Sequence, residues 1–148
     1  MMTAKEYLMQ VGILDCKIKI LIHERDDIHS IALCNQSLQL QDNKVQSSGS
    51  SDVMARAVER FVDIERELNV LIDKYVDLRW RIVKEIQSLN NPQHSELLYL
   101  RYVDCKRLED IACIMRKRNG DMYSYDHIKR LHGYALANFS RRILKMPQ

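Results

Sequence analysis

The chain contains few of the residues that break regular structure, and it lacks the patterns that mark membrane spans. Only four Gly and two Pro occur in 148 residues, which favours helices, because sheets need frequent turn residues. No apolar run approaches the roughly 20 residues that span a bilayer. The N-terminus shows no apolar leader followed by a small-residue cleavage site. These absences predict an all-α protein that stays in the cytoplasm.

The cysteines and histidines show no ligand spacing. Cys16, Cys34, Cys105 and Cys113 include no Cys-x-x-Cys pair, and the five His do not fall at zinc-finger distances. We therefore expect four reduced thiols, no metal and no cofactor, with Cys105 and Cys113 acting as packing residues. No nucleophile with a positioned base is visible, so the sequence predicts that the protein is not an enzyme.

The net charge of +3 is divided unevenly along the chain. Residues 1–93 carry 12 Lys and Arg against 14 Asp and Glu, whereas residues 94–148 carry 11 against 6. The first segment therefore has a net charge of −2 and the second a net charge of +5. This asymmetry predicts an anion-binding C-terminal part attached to a nearly neutral N-terminal part.

Two long stretches, residues 4–40 and 52–89, carry apolar residues at alternating steps of three and four. This heptad pattern is typical of helices that pair lengthwise. The first stripe contains Tyr7, Val11, Leu14, Ile18, Leu21, Ile28 and Ala32. The second contains Met54, Ala57, Phe61, Ile64, Leu68, Leu71, Tyr75, Leu78, Ile82 and Leu89. The simplest arrangement is a long antiparallel hairpin, although pairing between two chains satisfies the same stripes.

Two further features belong to these stretches. The segment Gln41–Asp52 is predicted to be a flexible connector rather than a binding loop, with Ser51 or Asp52 as the N-cap of the second helix. Trp80 lies on the second helix but outside its apolar stripe. Its position indicates a contact with the C-terminal part or with a second chain.

Asn90, Asn91 and Pro92 are predicted to end the second helix and to mark the domain boundary. Residues 1–91 would form the hairpin or coiled coil, for oligomerisation or partner contact. Residues 92–148 would form a compact three-helix unit suited to a helix-turn-helix. Its short amphipathic helices are predicted at residues 94–104, 108–115 and 124–144.

The last of these helices has a polar face suited to reading base edges. Its apolar face is formed by Ile128, Leu131, Ala135 and Phe139. The opposite side carries Tyr125, Asp126, Lys129 and Arg130. Arg and Lys donate to guanine, Asp accepts from cytosine, and Tyr offers a hydroxyl or a stacking face. The pattern predicts a recognition helix, although a solvated basic amphipathic helix has the same spacing.

Several segments resemble region four of sigma factors, the unit that recognises the −35 promoter element. They are Leu97–Val103, Leu108–Ala112, Ser124–Ile128, Leu131 and Ala135-Leu136. With the heptads and Val45–Ser50, most of the chain resembles a family of phage and prophage proteins from low-GC Gram-positive bacteria. That family is related to the RinA-type and ArpU-type late-gene transcriptional regulators. The resemblance implies a helix-turn-helix whose base contacts match Tyr125, Asp126, Lys129 and Arg130.

One departure from the sigma pattern is a longer turn before the last helix. The excess is Arg116–Asp121, a run with three cations and an Asn-Gly turn. This turn either contacts a neighbouring phosphate or forms a disordered surface loop. The full set of residues predicted to contact phosphates is Arg116, Lys117, Arg118, Ser124, His127, Arg141 and Arg142.

These patterns favour a phage-encoded, sequence-specific transcriptional regulator that binds double-stranded DNA in the cytoplasm of a bacterial host. Bacterial RNA polymerase is a candidate partner, and a homodimer through residues 4–40 and 52–89 is a candidate assembly. No membrane contact is expected. Two alternatives stay open. One is a DNA-packaging adaptor resembling a small terminase subunit, and the other is a protein-only interaction module.

Overall fold

The structure, a computed structural model, describes residues 2–41 and 48–145. Within these ranges the chain is all-α, as predicted, with five α-helices and no β-strand. The helices are α1 (Ala4–Gln41), α2 (Ser48–Gln87), α3 (Pro92–Leu98), α4 (Leu108–Ile114) and α5 (Tyr125–Phe139). A π-helical turn extends α3 over Tyr99–Val103, and a second extends α5 over Ser140–Leu144. None of these helices is long and apolar enough to cross a bilayer.

The ends of α2 and the start of α3 differ in detail from the prediction. Because α2 begins at Ser48, the predicted N-cap at Ser51 or Asp52 is wrong, and Asp52 instead pairs with Arg56 one turn further along. Residues 48–52 of the predicted connector are helical, so this part of the prediction is wrong, and residues 42–47 lie outside the described residues. At the other end, Asn91 accepts a hydrogen bond from the amide of Gln93, and Pro92 occupies the first helical turn of α3.

The chain divides into two compact units. One comprises Met1–Ile13 and Tyr75–Gln148, and the other comprises Leu14–Lys74. The division therefore falls within α1 and α2, whereas the sequence places a boundary at Pro92. The first unit takes in the start of α1 and the end of α2. The sequence did not predict this, because an apolar stripe shows that a helix is covered without showing what covers it.

A single core holds the first unit together, and every helix contributes to it. Its buried residues are Ala4, Leu8, Val11, Ile82, Ile86, Leu89, Leu97, Leu98, Tyr102, Val103, Ile111, Ala112, Met115, Ile128, Leu131, Ala135 and Phe139. The first three belong to α1 and the next two to α2. The core includes Ile128, Leu131, Ala135 and Phe139, so the predicted inward positions of α5 are confirmed. Cys105 and Cys113, by contrast, are exposed, so their prediction as packing residues is wrong.

Polar contacts at the edge of this core fix the ends of the long helices. The Tyr7 hydroxyl donates to Glu85 Oε1 at 3.2 Å, and the ring centroids of Tyr7 and Phe139 are 6.2 Å apart. Burial, followed by the hydrogen bond and charge of Glu85, raises the pKa of Tyr7 to about 12. The Ser95 hydroxyl donates to the carbonyl of Ile86 at 2.9 Å, which ties α3 to α2.

The second unit consists of parts of α1 and α2 that run antiparallel. Arg25 Nη1 lies 3.3 Å from Glu65 Oε1. Four residues later on α1 and four residues earlier on α2, the ring centroids of His29 and Phe61 are 6.2 Å apart. These contacts are made within one chain. Ile64 and Leu68 are the only core residues of this unit among its described side chains.

We predict that Leu8 stabilises the first unit and that its neighbour Met9 does not. Leu8 is fully buried, whereas Met9 is 44% exposed. Leu8→Ala should lower the free energy of unfolding by about 2–5 kcal/mol through lost burial and a residual cavity. Met9→Ala should change it by less than about 0.5 kcal/mol. Urea denaturation of both variants measures the difference, and similar values would show that α1 does not belong to this core.

Candidate nucleic-acid interface

The position of α5 is set by its buried side and by a cap at its first turn. Ile128 and Leu131 pack inward in the first turns, and Phe139 is fully buried at the C-terminal end. The Ser124 hydroxyl accepts a hydrogen bond from the amide of His127 at 3.3 Å. The predicted N-cap at Ser124 is therefore confirmed. The hydroxyl hydrogen of Ser124 can still donate to a ligand.

Every residue that the sequence predicts as a DNA contact is exposed. On α5 these are Tyr125, Asp126, His127, Lys129 and Arg130, with Ser124 just before the helix. Before it lie Arg116, Lys117 and Arg118, and after it lie Arg141 and Arg142. Because residues 128, 131 and 135 are buried, the helical period places Asp126, Lys129 and Arg130 on the side away from the core. Tyr125 lies nearer the edge of that exposed side.

The segment between α4 and α5 forms a closed turn. An isolated antiparallel bridge joins Arg116 to Met122, and the amide of Lys117 donates to the carbonyl of Asp121 at 2.9 Å. Asn119 Oδ1 accepts from the amide of Asp121 at 3.1 Å. At the tip, Gly120 has a φ of 87°, a left-handed conformation that favours glycine. The turn is therefore ordered, which contradicts the disordered loop left open by the sequence, and the contact with a phosphate stays a prediction.

Tyr123 brings this turn and the start of α5 together. Its ring stacks on that of His127, with centroids 4.9 Å apart, and Lys117 Nζ lies 5.9 Å from its centroid. The side-chain amide of Gln93 donates to the Tyr123 hydroxyl at 2.9 Å, and this hydrogen bond links Tyr123 to α3. The cation of Lys117 is thereby held beside the first turn of α5.

The electrostatics of this surface are those of an unpaired cationic region. Within the described residues, none of its seven cationic side chains forms an ion pair. These are Arg116, Lys117, Arg118, Lys129, Arg130, Arg141 and Arg142. Arg130 Nε instead donates to the carbonyl of Asp126 at 3.4 Å. By contrast, Arg107 on the α4 side pairs with Asp110 at 3.3 Å and lowers the pKa of that carboxyl. Unpaired cations can neutralise an anionic ligand without first breaking a salt bridge.

Two polar pairs hold the other side of α5. The Tyr102 hydroxyl and His132 Nε2 share a hydrogen bond of 2.9 Å. Burial lowers the pKa of His132, and the positive charges of Arg101 and Lys5 lower it further. Closer to the C-terminus of α5, Asn138 Nδ2 lies 3.1 Å from His94 Nδ1. Burial also lowers the pKa of His94. These histidines position α5 and do not belong to its exposed face.

Two residues of this surface were not identified from the sequence. Tyr123 precedes the N-cap, and its spacing of four from His127 was the available signal. Tyr134 is 66% exposed and lies one turn beyond Arg130. The available signal for Tyr134 was an aromatic residue outside the apolar face of an amphipathic helix.

Trp80 does not make the contact with the C-terminal helices that was one of the two predictions for it. Its side chain is 66% exposed, and Lys84 Nζ lies 5.6 Å from the ring centroid.

Across residues 2–41 and 48–145, no group of three His, Cys, Asp or Glu side chains is placed to hold a metal ion. Comparisons with protein-family models, with curated proteins and with solved structures find no match for this chain.

We predict that the Ser124 cap contributes measurably to stability. Ser124→Ala removes the acceptor for the His127 amide, which should lower the free energy of unfolding by about 1 kcal/mol. Ser140→Ala is the matched control, because Ser140 follows α5 and caps no helix N-terminus. Thermal and urea denaturation compare the two variants. Equal stabilities would show that the cap does not hold the start of α5.

We also predict a pH dependence that involves His132. Its folded-state pKa lies below the unfolded value of about 6.5, so the unfolded chain binds the proton first as the pH falls. The free energy of unfolding should therefore be highest above about pH 7 and should decrease as the pH falls below about 6.5. Urea midpoints at about pH 7.5 and 5.5 measure this decrease. His132→Gln should make it smaller, and an unchanged decrease would contradict the assignment.

Proposed function

We propose that the protein is a sequence-specific DNA-binding transcriptional regulator and that α5 is its recognition helix. One observation carries this proposal. The exposed side of α5 presents Asp126, Lys129 and Arg130, and unpaired cations precede and follow the helix. Polar side chains on a rigid helix suit base edges in a major groove, and flanking cations suit the phosphate backbone.

Each group of residues has a distinct role in this proposal. Lys129 and Arg130 donate to base acceptors, and Asp126 accepts from a base amine, with Tyr125 at the edge of the same surface. Arg141 and Arg142 bind phosphates beyond the C-terminal end of α5. Arg116, Lys117 and Arg118 bind a phosphate from the closed turn, together with Ser124 and His127 at the start of the helix.

The wider assignment follows the resemblance to sigma region four and to phage late-gene regulators. We propose that the protein acts on phage transcription in the cytoplasm of a bacterial host, with RNA polymerase as a partner. A homodimer through residues 4–40 and 52–89 is part of the same proposal. The surface of α5 supports DNA over an acidic protein as its ligand, because the acidic Asp126 shares the exposed side of the helix with Lys129 and Arg130. That mixture suits base edges better than a uniformly acidic surface.

We test this by selecting binding sites from a library of random duplex DNA and measuring affinity for the enriched sequence. The parent protein should enrich one sequence and bind it more tightly than unrelated duplex. Lys129→Ala and Arg130→Ala should each weaken specific binding by about 1–3 kcal/mol, because each removes a base contact. Arg141→Ala should weaken binding to all sequences and reduce the salt slope by about 1.

Lys17→Ala and Lys74→Ala are the matched controls, because both are exposed cations of the second unit. They should leave the affinity unchanged. Failure of the parent to enrich any sequence, together with an absence of salt-sensitive binding to duplex DNA, would overturn the proposal. Equal losses in the control and α5 variants would show that charge alone, and not α5, governs binding.

A further inference from the structure

Tyr123, the residue before the N-cap of α5, is anchored by two different contacts. Its side chain packs against the core of the first unit. Its hydroxyl accepts a hydrogen bond of 2.9 Å from the side-chain amide of Gln93 on α3. Apolar burial and a polar contact together fix the direction of the ring. Tyr123 is not one of the residues proposed to contact DNA.

Two residues of the proposed phosphate surface lie over this fixed ring. The imidazole of His127 stacks on it, with centroids 4.9 Å apart and planes inclined by 12°. Lys117 Nζ lies 5.9 Å from the ring centroid, within the range of about 6 Å in which a cation is attracted to an aromatic face. Lys117 forms no ion pair among the described residues. The ring therefore restricts a cation that no carboxylate holds.

The closed turn fixes the other end of the Lys117 side chain. The amide of Lys117 donates to the carbonyl of Asp121, and its carbonyl accepts from the amide of Gly120, both at 2.9 Å. The left-handed φ of 87° at Gly120 closes this turn. Lys117 is therefore held at its backbone by the turn and at its charged end by the ring.

A cation held in this way has an advantage when it binds a phosphate. Immobilising a long, flexible side chain at an interface reduces affinity, and a side chain ordered in advance avoids part of that loss. An exposed contact between a cation and an aromatic ring corresponds to about a two- to fivefold change in an equilibrium constant. The ring can thus contribute a measurable part of one phosphate contact.

We propose that Tyr123 is a positioning residue that holds Lys117 in place for one backbone phosphate of duplex DNA. The inference rests on the proposed function, because it assigns the way in which that surface is organised. Tyr123 acts through Lys117 and does not itself contact the phosphate. Since the same ring stacks on His127 in the first turn of α5, it also fixes the phosphate contact relative to the base-reading side of the helix.

A double-mutant cycle in the full chain tests this coupling, with duplex DNA of mixed sequence as the probe. Lys117→Ala alone should reduce the salt slope by about 1, as expected for one lost phosphate contact. Tyr123→Leu keeps an apolar side chain against the core but removes the ring. It should weaken duplex binding about two- to fivefold in the parent. Most of that effect should disappear in the Lys117→Ala background, because the cation that the ring positions is gone.

Two further comparisons separate the ring from other effects. Tyr123→Phe keeps the ring but loses the hydroxyl that Gln93 contacts, so it should retain most of the affinity and the coupling to Lys117. Trp80 and Lys84 are the matched control, because Lys84 Nζ lies 5.6 Å from the Trp80 ring centroid on α2. Trp80→Leu and Lys84→Ala should leave duplex affinity unchanged. Circular dichroism and urea denaturation verify that every variant is folded.

The outcomes distinguish this inference from the proposed function. Additive losses from Tyr123→Leu and Lys117→Ala would overturn the inference and leave DNA binding in place, since the two residues would then act independently. Tighter binding by Tyr123→Leu would also overturn it, because the ring would then hold the cation away from the phosphate. A parent protein without salt-sensitive binding to duplex DNA would overturn both.

Discussion

The burial of one side of α5 is the interaction on which the candidate interface depends. Ile128, Leu131, Ala135 and Phe139 enter a core to which all five helices contribute. Because a helix has a fixed period, burying these positions orients the whole opposite surface. The exposed positions of Asp126, Lys129 and Arg130 are thus fixed in direction by the buried side of the same helix. A rigid display of this kind is what a base-reading surface requires.

The same core explains why the ends of the long helices belong with the short ones. Leu8 and Ile82 are fully buried there, and Tyr7 bonds Glu85 at its edge. Glu85 Oε2 is buried and has no hydrogen-bond partner among the described residues. An unsatisfied buried oxygen costs free energy, which the surrounding apolar burial must offset. The polar Glu85 is therefore tolerated at the edge of this core.

Much of the fold follows from the sequence because it depends on periodicity. The heptad stripes predict the extents of α1 and α2 closely, and the 3.6-residue period predicts which side of α5 is buried. Ser124 was predictable as a cap because a short hydroxyl side chain three residues before His127 reaches its amide. The closed turn at Arg116–Met122 was not, since an Asn-Gly pair fits both an ordered turn and a loose loop.

Composition and spacing alone determined the helical class, the inward face of α5 and the concentration of positive charge after residue 93. These properties depend on local period and charge, which the order of residues encodes directly. Only the tertiary structure decided what covers each apolar face. It showed that α1 and α2 contribute to the core of the short helices, that Tyr123 links the turn to α5, and that Trp80 is exposed. The physical reason is that burial is a relation between segments distant in sequence, whereas periodicity describes one segment at a time.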